Sequence, residues 1–595
     1  MKLTDLLLEE RPDDATTVAV YCEEREVTRA ALRDSARALA AELTAAGVRP
    51  GHCVGVMLPN GPEVVAAMFG VWMAEAVYVP LNPRLADDEI TRLVGAVRPA
   101  AMVTESGWVH RLRTPPATAA ASTTGRAADT DNGARTSTPA TTAGTDNTAG
   151  TDKAAGTDKA AGTGSANSTA GAPEAAGSHE PTGTAGTTSS DHPDHPGDLP
   201  VIASVGEMGW EIVQPAVPVP PAAQVHDTDI ALVQFTSGTT GRPKPVLLRH
   251  SGYLALLEPV LRKLVGSSAE TIAKRRAPMP NLIPTSMALS AGIYNVLFAF
   301  RVGAPAVIMP TFTTSGFAAA VAKHQIRSTV LPPAAMVMLT DDPQITSLAP
   351  LRYVRGITAP LSPLQARRFR DRFGVTVLNC YGQTEIGGEI VGWNAADARQ
   401  FGDSKLGSVG RPHEGVTLRV VDENGRELPP GESGELLVRT PAVSAGYADG
   451  STLGDRLTPD GWFRTGDIAR IDFDGFLWIE GRLSNMINRG GLKVFPGEVE
   501  EVLRLLPEVA DCAVVGVPDD RLGEIPWAFV VPRPGAKLPD AEAMESFARQ
   551  HLAPYKIPAR FVPIDELPRT EVGKVRAADL IKLATSSSPP SSPHS

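Results

Sequence analysis

Apolar residues in this chain come in short blocks that follow two rhythms. Asp229 to Phe235 (DIALVQF) is a near-continuous apolar run that ends in a Gly/Thr-rich loop, the pattern of a buried strand. Leu351 to Thr358 (LRYVRGIT) predicts another strand. Ser362-Pro363 then opens a helix, with serine as cap and proline in the first turn. Phe369 and Phe373, four apart, share one face of that helix. Gly374 ends it, and Val375 to Cys380 (VTVLNC) predicts the next strand. Strand, helix and strand at this spacing predict a right-handed parallel crossover. Nearer the C-terminus the pattern changes. Pro496 precedes a helix with Val499, Val502, Leu503 and Leu506 on one stripe, followed by two short strands, Cys512 to Val517 and Trp527 to Val531. That reads as a separate small α+β domain after about residue 482.

Composition marks off what belongs to no core. From Arg113 to Asp198 there is no Val, Leu, Ile, Met, Phe, Tyr, Trp or Cys, and a six-residue repeat (AGTDNT, AGTDKA, AGTDKA, AGTGSA) runs from Ala143 to Ala166. With nothing apolar to bury, the entropy of ordering such a backbone is not offset, which predicts a disordered insertion in a surface loop. The Ser/Pro-rich residues 584–595 predict a disordered tail. The chain of 595 residues carries a formal net charge of −11. This argues against a broad nucleic-acid footprint or a polybasic membrane patch. The cysteines, Cys22, Cys53, Cys380 and Cys512, show no CxxC spacing, so neither a disulfide framework nor a zinc knuckle is legible. The N-terminal stretch MKLTDLLLEERPDD lacks the charge and apolar run of a signal peptide, and the longest apolar stretch, Val64 to Val79, is broken by Glu75. The expectation is a cytoplasmic protein without a membrane span.

The candidate chemistry starts where the first strand ends. Thr236-Ser237-Gly238-Thr239-Thr240-Gly241-Arg242-Pro243-Lys244 gathers hydroxyls, glycines and a lysine. Glycines let several N–H groups converge on an anion; the hydroxyls add donors and Lys244 a charge. Pro245 after the lysine rules out a GxxxxGK[ST] loop. Taken alone, a Gly/Thr-rich loop is ordinarily just a turn. Its residue order, however, resembles the phosphate loop of the adenylate-forming superfamily, which includes acyl-CoA synthetases, adenylation domains and luciferases. Further stretches match that superfamily in the right order: Tyr381-Gly382-Gln383-Thr384-Glu385, Gly461 to Asp467 (GWFRTGD), Gly481-Arg482, and Pro568 to Lys574 (PRTEVGK). Gly51 to Asn60 and Pro80 to Pro83 look like the family's opening, so the resemblance spans the chain outside the insertion and tail.

The resemblance implies an α/β fold. It would have a large N-terminal domain (1–482) of parallel-sheet subdomains plus a small barrel-like subdomain, then a small mobile C-terminal α+β domain (483–583). It implies an AMP-forming ligase that activates a small carboxylic acid with ATP and Mg2+, then transfers the acyl group to coenzyme A. Thr236 to Lys244 would hold the β- and γ-phosphates, and Glu385 the Mg2+, a hard cation suited to carboxylate and phosphate oxygen. Thr384 would donate to the α-phosphate. Tyr381 and Gly382 would border adenine, with Thr358, Ala359 and Pro360 on its other side. Asp467 would take the ribose hydroxyls and Arg482 add a fixed cation. Lys574 would reach the α-phosphate and the acid's carboxylate in the first step only. Ser484 would sit at the hinge, and Gly490 and Gly491 would border the acceptor channel. Singly, these residues have ordinary structural readings. Asp467 could cap a turn, Lys574 be a solvated lysine, Tyr381 sit at a rim, and Glu385 begin a helix. Their order along the chain favours the functional reading.

The sequence departs from the family pattern at Pro245, where glycine is usual, and at Pro284-Thr285-Ser286-Met287, where many acyl-CoA synthetases read Pro-Leu-Phe-His. It also departs at Thr358, and at Ser484-Asn485 near the hinge. The acid pocket is expected from Met287 to Tyr294, Ile357 to Ala359 and Gly382 to Gly387, small or apolar residues that favour an aryl or alkyl acid. Two alternatives stay open. One keeps adenylation but uses a carrier-protein thiol or an amine as acceptor; the other is nucleotide binding without turnover.

Overall fold

A computed structural model describes residues 2–9, 13–112, 200–214, 223–237, 243–265, 278–357, 361–569 and 575–586. Residues 1–116 and 192–595 make one compact unit; 117–191 fall outside the described residues, as does the whole repeat segment.

Three sheets with parallel pairing come first. The largest has seven strands, in the order Gly209–Gln214, Val201–Val205, Ala101–Glu105, Cys53–Met57, Val77–Pro80, Ile230–Ser237, Pro243–Arg249. Its middle strands pair parallel and its two outer pairs are antiparallel hairpins. The apolar stretch broken by Glu75 becomes the buried helix Pro62–Met73 and then the strand Val77–Pro80. Glu75 takes the left-handed φ of 55° in the turn between them. A second sheet, of four strands, joins Asn281–Ile283, Ala306–Ile308, Val18–Cys22 and Arg25–Thr28.

The predicted crossover is present. Tyr353–Gly356 pairs parallel with Thr376–Asn379, and the helix Pro363–Phe373 links them. Ser362 accepts from the Leu364 N–H at 3.2 Å, Gly374 ends the helix at φ 67°, and the Phe369 and Phe373 rings lie 5.1 Å apart.

Two antiparallel sheets follow. Tyr381–Gln383, Gly388–Gly392 and Arg411–Pro412 form one; Thr417–Val421, Gly434–Arg439, Phe463–Ile471 and Leu477–Arg482 form the other. A bridge between Gly410 and Leu477 ties them together, and a single core including Tyr381, Ile390, Leu436 and Phe463 fills the space between. This is the barrel-like element the resemblance implies. The last sheet, from Ile487 to Pro563, has its own core around Val499, Leu503, Cys512 and Val530.

Three elements differ from the sequence reading. The two strands read at Cys512 to Val517 and Trp527 to Val531 run Val509–Asp519 and Gly523–Pro532, much longer than their apolar centres. They pair with each other through Pro518↔Glu524, so ladder hydrogen bonds carry the strands beyond the apolar alternation. The helix Ala577–Ser586 runs past the expected tail boundary at 584. Ala584 lies one turn beyond Leu580 and shares its buried face.

Candidate active site

The phosphate-loop candidate is the tip of a β-hairpin. Ile230–Ser237 pairs antiparallel with Pro243–Arg249, with Thr236 opposite Lys244 and Ser237 opposite Pro243. Gly238 to Arg242, at the tip, lie outside the described residues. Pro245 uses the one backbone group it has: its carbonyl accepts from the Ala448 N–H at 2.7 Å. Lys244 is exposed, and its Nζ stands 5.3 Å from the ring centroid of Tyr447. Burial, then the charge of Glu385, raises the Tyr447 phenol above its ordinary range. Tyr447 thus feels both the hairpin lysine and the candidate metal ligand.

Glu385 comes from a second hairpin. Tyr381–Gln383 and Gly388–Gly392 pair across the single turn Thr384–Ile386. The strands approach so closely that a Cβ at Gly382 would stand 1.7 Å from the Gly388 carbonyl oxygen, so only glycine fits there. Tyr381 donates through its hydroxyl to Asp467 Oδ2 at 2.6 Å. Gln383 Nε2 donates to the same oxygen at 2.7 Å and to the Thr465 carbonyl at 3.0 Å. Arg482 Nε lies 3.0 Å from Asp467 Oδ1, because Asp467 and Arg482 are opposite each other on adjacent strands. Asp467 is only 3 % exposed, so this charge is held by three side chains in a nearly dry site. Burial, then Asp467, pushes the Tyr381 phenol well above its ordinary range and keeps it a proton donor.

Two residues here carry no role in the sequence reading: Arg456, outside every motif, and Gln383, inside the Tyr381 to Glu385 motif. Arg456 Nη1 donates to Glu385 Oε1 at 2.7 Å and its Nη2 to Gln383 Oε1 at 3.0 Å, while its guanidinium lies 4.5 Å from the Phe463 ring centroid. Burial alone would lower the guanidinium's proton affinity, but Glu385 outweighs it and holds Arg456 above its ordinary range. Gln383 links Arg456, the partner of Glu385, to Asp467. Neither contact has a spacing to read: Arg456 and Glu385 are 71 residues apart.

A second buried cluster lies beside this hairpin. Arg355 Nη1 donates to Glu389 Oε2 at 2.8 Å, and His413 Nε2 is 3.3 Å from Glu389 Oε1. Cys380 Sγ donates to the Gly356 carbonyl at 3.2 Å. Burial would raise the Glu389 carboxyl; Arg355 and His413 overcome that and hold it down at about 2. These charges stand next to residues read from sequence as a small, apolar pocket.

A family model described as AMP-binding enzyme matches residues 8–448, and one described as AMP-binding enzyme C-terminal domain matches 498–574. The chain belongs to the AMP-binding enzyme family. Among its curated relatives is an indoleacetate–CoA ligase of Aromatoleum aromaticum, 30% identical over 95% of this chain and 94% of that protein. A feruloyl-CoA synthase of an Amycolatopsis species is 29% identical, covering 92% of each chain. The solved structure of an amide bond synthetase from Marinactinospora thermotolerans superposes with a TM-score of 0.72 at 25% identity, over 98% of this chain and 99% of that one.

The remaining candidates of this AMP-binding enzyme lie outside the described residues or in its C-terminal part. Thr358, Ala359 and Pro360, expected beside adenine, and Lys574 lie outside the described residues. The bases of the Lys574 loop are described: Arg569 bridges Val575, and the Arg576 N–H reaches the Pro568 carbonyl at 2.8 Å. Ser484 is exposed in the single turn Leu483–Asn485, and its hydroxyl bonds only the neighbouring Asn485 Oδ1, at 3.0 Å, among the described residues. Gly490 and Gly491 have φ of 60° and 87° in a tight turn, which by itself requires glycine there. Among the described residues no helix is long and apolar enough to cross a membrane, and no group of three or more His, Cys, Asp or Glu is close enough to hold a metal.

Proposed function

We propose that this AMP-forming ligase activates a small carboxylic acid as its acyl-adenylate and passes the acyl group to the thiol of coenzyme A. The observation that carries this is the meeting of Glu385, Gln383, Asp467, Arg482 and Arg456 at one hairpin, beside the strand pair that carries the phosphate loop.

In the first step an oxygen of the acid's carboxylate attacks the α-phosphorus of ATP. A new C(O)–O–P bond forms, and the bond to the bridging oxygen breaks to release pyrophosphate. Both reactants are anionic, so the protein's task is to align them and offset charge. Thr236 to Lys244 would hold the leaving phosphates, Thr384 the α-phosphate and Asp467 the ribose. Arg482 and Tyr381 orient Asp467. The Glu385 carboxylate is a hard oxygen donor that suits Mg2+, which when bound there would neutralise phosphate charge. Arg456 keeps the Glu385 carboxylate aimed and compensated. Lys574 would bring a further cation to the α-phosphate.

In the second step the thiolate of coenzyme A attacks the acyl carbon, the C–S bond forms, and AMP departs with the C–O electron pair. Residues 483–583 would turn about Ser484 between the steps, withdrawing Lys574 and bringing Gly490 and Gly491 to the thiol. The boundaries of this reading are 1–482, with 113–198 inserted, and 483–583, then the tail.

A second reading keeps the first step and gives the acyl group to an amine or a carrier-protein thiol. The full-length likeness to an amide bond synthetase favours keeping it open. The test is pyrophosphate release from ATP with aryl, short, medium and long acids, followed by mass spectrometry after adding coenzyme A. Acid-dependent release and a thioester are expected. Release without a thioester selects the second reading, and no release with any acid refutes both.

A further inference from the structure

Three elements expected to line the acid pocket each send a polar group into one buried cluster. Glu389 stands opposite Gly382 across the Tyr381 hairpin. Arg355 precedes the Ile357 to Ala359 stretch on its strand. Tyr294 lies on the helix Ser290–Arg301, just beyond the loop that carries Met287. Phe298, one turn further on the same face, has its ring centroid 5.8 Å from the Arg355 guanidinium, so this helix face packs against the Arg355–Glu389 pair.

Within this cluster the Tyr294 hydroxyl is unusual. The side chain is 7 % exposed, and its oxygen has no hydrogen-bond partner among the described residues. His413 Nδ1, on the far side of Glu389, is likewise buried without a partner. A buried hydroxyl forfeits its water contacts unless something replaces them. The ring centroids of Tyr253 and Tyr294 lie 6.5 Å apart, with their planes tilted by 36°.

The charge balance narrows what could partner the hydroxyl. Arg355 and Glu389 already neutralise each other at 2.8 Å. A second carboxylate or an ammonium placed here would be an uncompensated buried charge. A neutral group that both donates and accepts satisfies the hydroxyl and leaves the pair intact.

We propose that Tyr294 is a specificity-determining residue: it receives a neutral hydroxyl or amino substituent on an aryl acid, at the end remote from the carboxylate that is adenylated. This rests on the acyl-adenylate reading above and names its substrate class. A site built to bond a hydroxyl rejects the analogue that lacks it far more strongly than an apolar pocket rejects an added methylene.

The experiment compares pyrophosphate release from benzoate, phenylacetate and cinnamate with release from their ring-hydroxylated and ring-amino counterparts, on the wild type and on Tyr294→Phe. At least one substituted acid is expected to exceed its parent in kcat/KM by about 10-fold or more, and Tyr294→Phe to bring that ratio near unity. Without acid, Tyr294→Phe should melt at the same temperature or higher, because it removes a buried hydroxyl that has no partner. A hydroxyl held by the fold alone would lower the melting temperature and leave the ratio unchanged, which overturns the proposal. So do ratios within about threefold of unity for every wild-type pair. If no acid releases pyrophosphate, binding of the matched acyl-sulfamoyl adenosines is measured by calorimetry. Tighter binding of a substituted one, lost in Tyr294→Phe, supports this site while refuting turnover; equal binding refutes the site.

Discussion

At the scale of single residues, the chemistry here is set by who neutralises whom. Glu385, buried in the fold, is paired with Arg456 at 2.7 Å. Glu385→Gln keeps the shape and removes the charge. Pyrophosphate release should fall about 100-fold, with the largest deficit at low Mg2+. Titrating Mg2+ against both proteins checks this, and parallel curves would take Glu385 out of the metal site. Glu389 is the second case. Its carboxyl is held at about 2 in the folded protein against an ordinary 4.5, so ionised Glu389 favours the fold at neutral pH. That contribution is complete above the ordinary value and is lost as pH falls toward the folded one. Glu389→Gln should therefore cost most stability near pH 7, where it leaves Arg355 buried without a counter-charge. The gap between urea midpoints of wild type and variant should shrink below pH 4.5. A gap that stays constant to pH 3 would refute the linkage.

Hairpins carry the site at the scale of elements. The Tyr381–Gln383 strand must lie close enough to Gly388–Gly392 for Tyr381 and Gln383 to reach one carboxylate oxygen. Gly382→Ala would place a methyl 1.7 Å from a carbonyl oxygen, so the strands must separate. Stability should fall by roughly 3 kcal/mol, and nucleotide binding with it. Chemical denaturation and ATP titration test this; wild-type values in both would show that the hairpin yields without harm. Much at this scale was legible in sequence. Ser362-Pro363 and Gly374 bracketed their helix within a residue, because capping is a local interaction. The lengths of Val509–Asp519 and Gly523–Pro532 were not legible, because a ladder's extent depends on its partner strand.

For the whole molecule the question is motion and what it leaves unaffected. Lys574→Ala should slow adenylate formation about 10²–10³-fold while sparing thioester formation from supplied acyl-adenylate. Ser484→Pro should do the reverse, since a fixed φ at the turn opposes rotation. Measuring both half-reactions on both variants is decisive: equal slowing of the two steps by Lys574→Ala would refute either the rotation or the lysine's role. Removing residues 114–197 should leave adenylation within a few-fold of wild type, because that stretch offers no apolar side chain to a core. A large drop in folded yield would give it a structural role.

By itself the sequence determined the family, the order of the elements and the identity of Thr384, Glu385, Asp467 and Arg482 as candidates. Those features live in contiguous stretches whose residue order is constrained by local geometry and by ATP. Tertiary structure alone decided that Arg456 guards Glu385, that Gln383 joins Tyr381 at Asp467, and that Arg355, Glu389 and Tyr294 share one buried cluster. Each of these is a side-chain contact between elements distant in the chain. A charged residue such as Arg355 or Glu389 looks in sequence like any solvated group. Only folding shows that it has lost its water and must find its compensation from a neighbour.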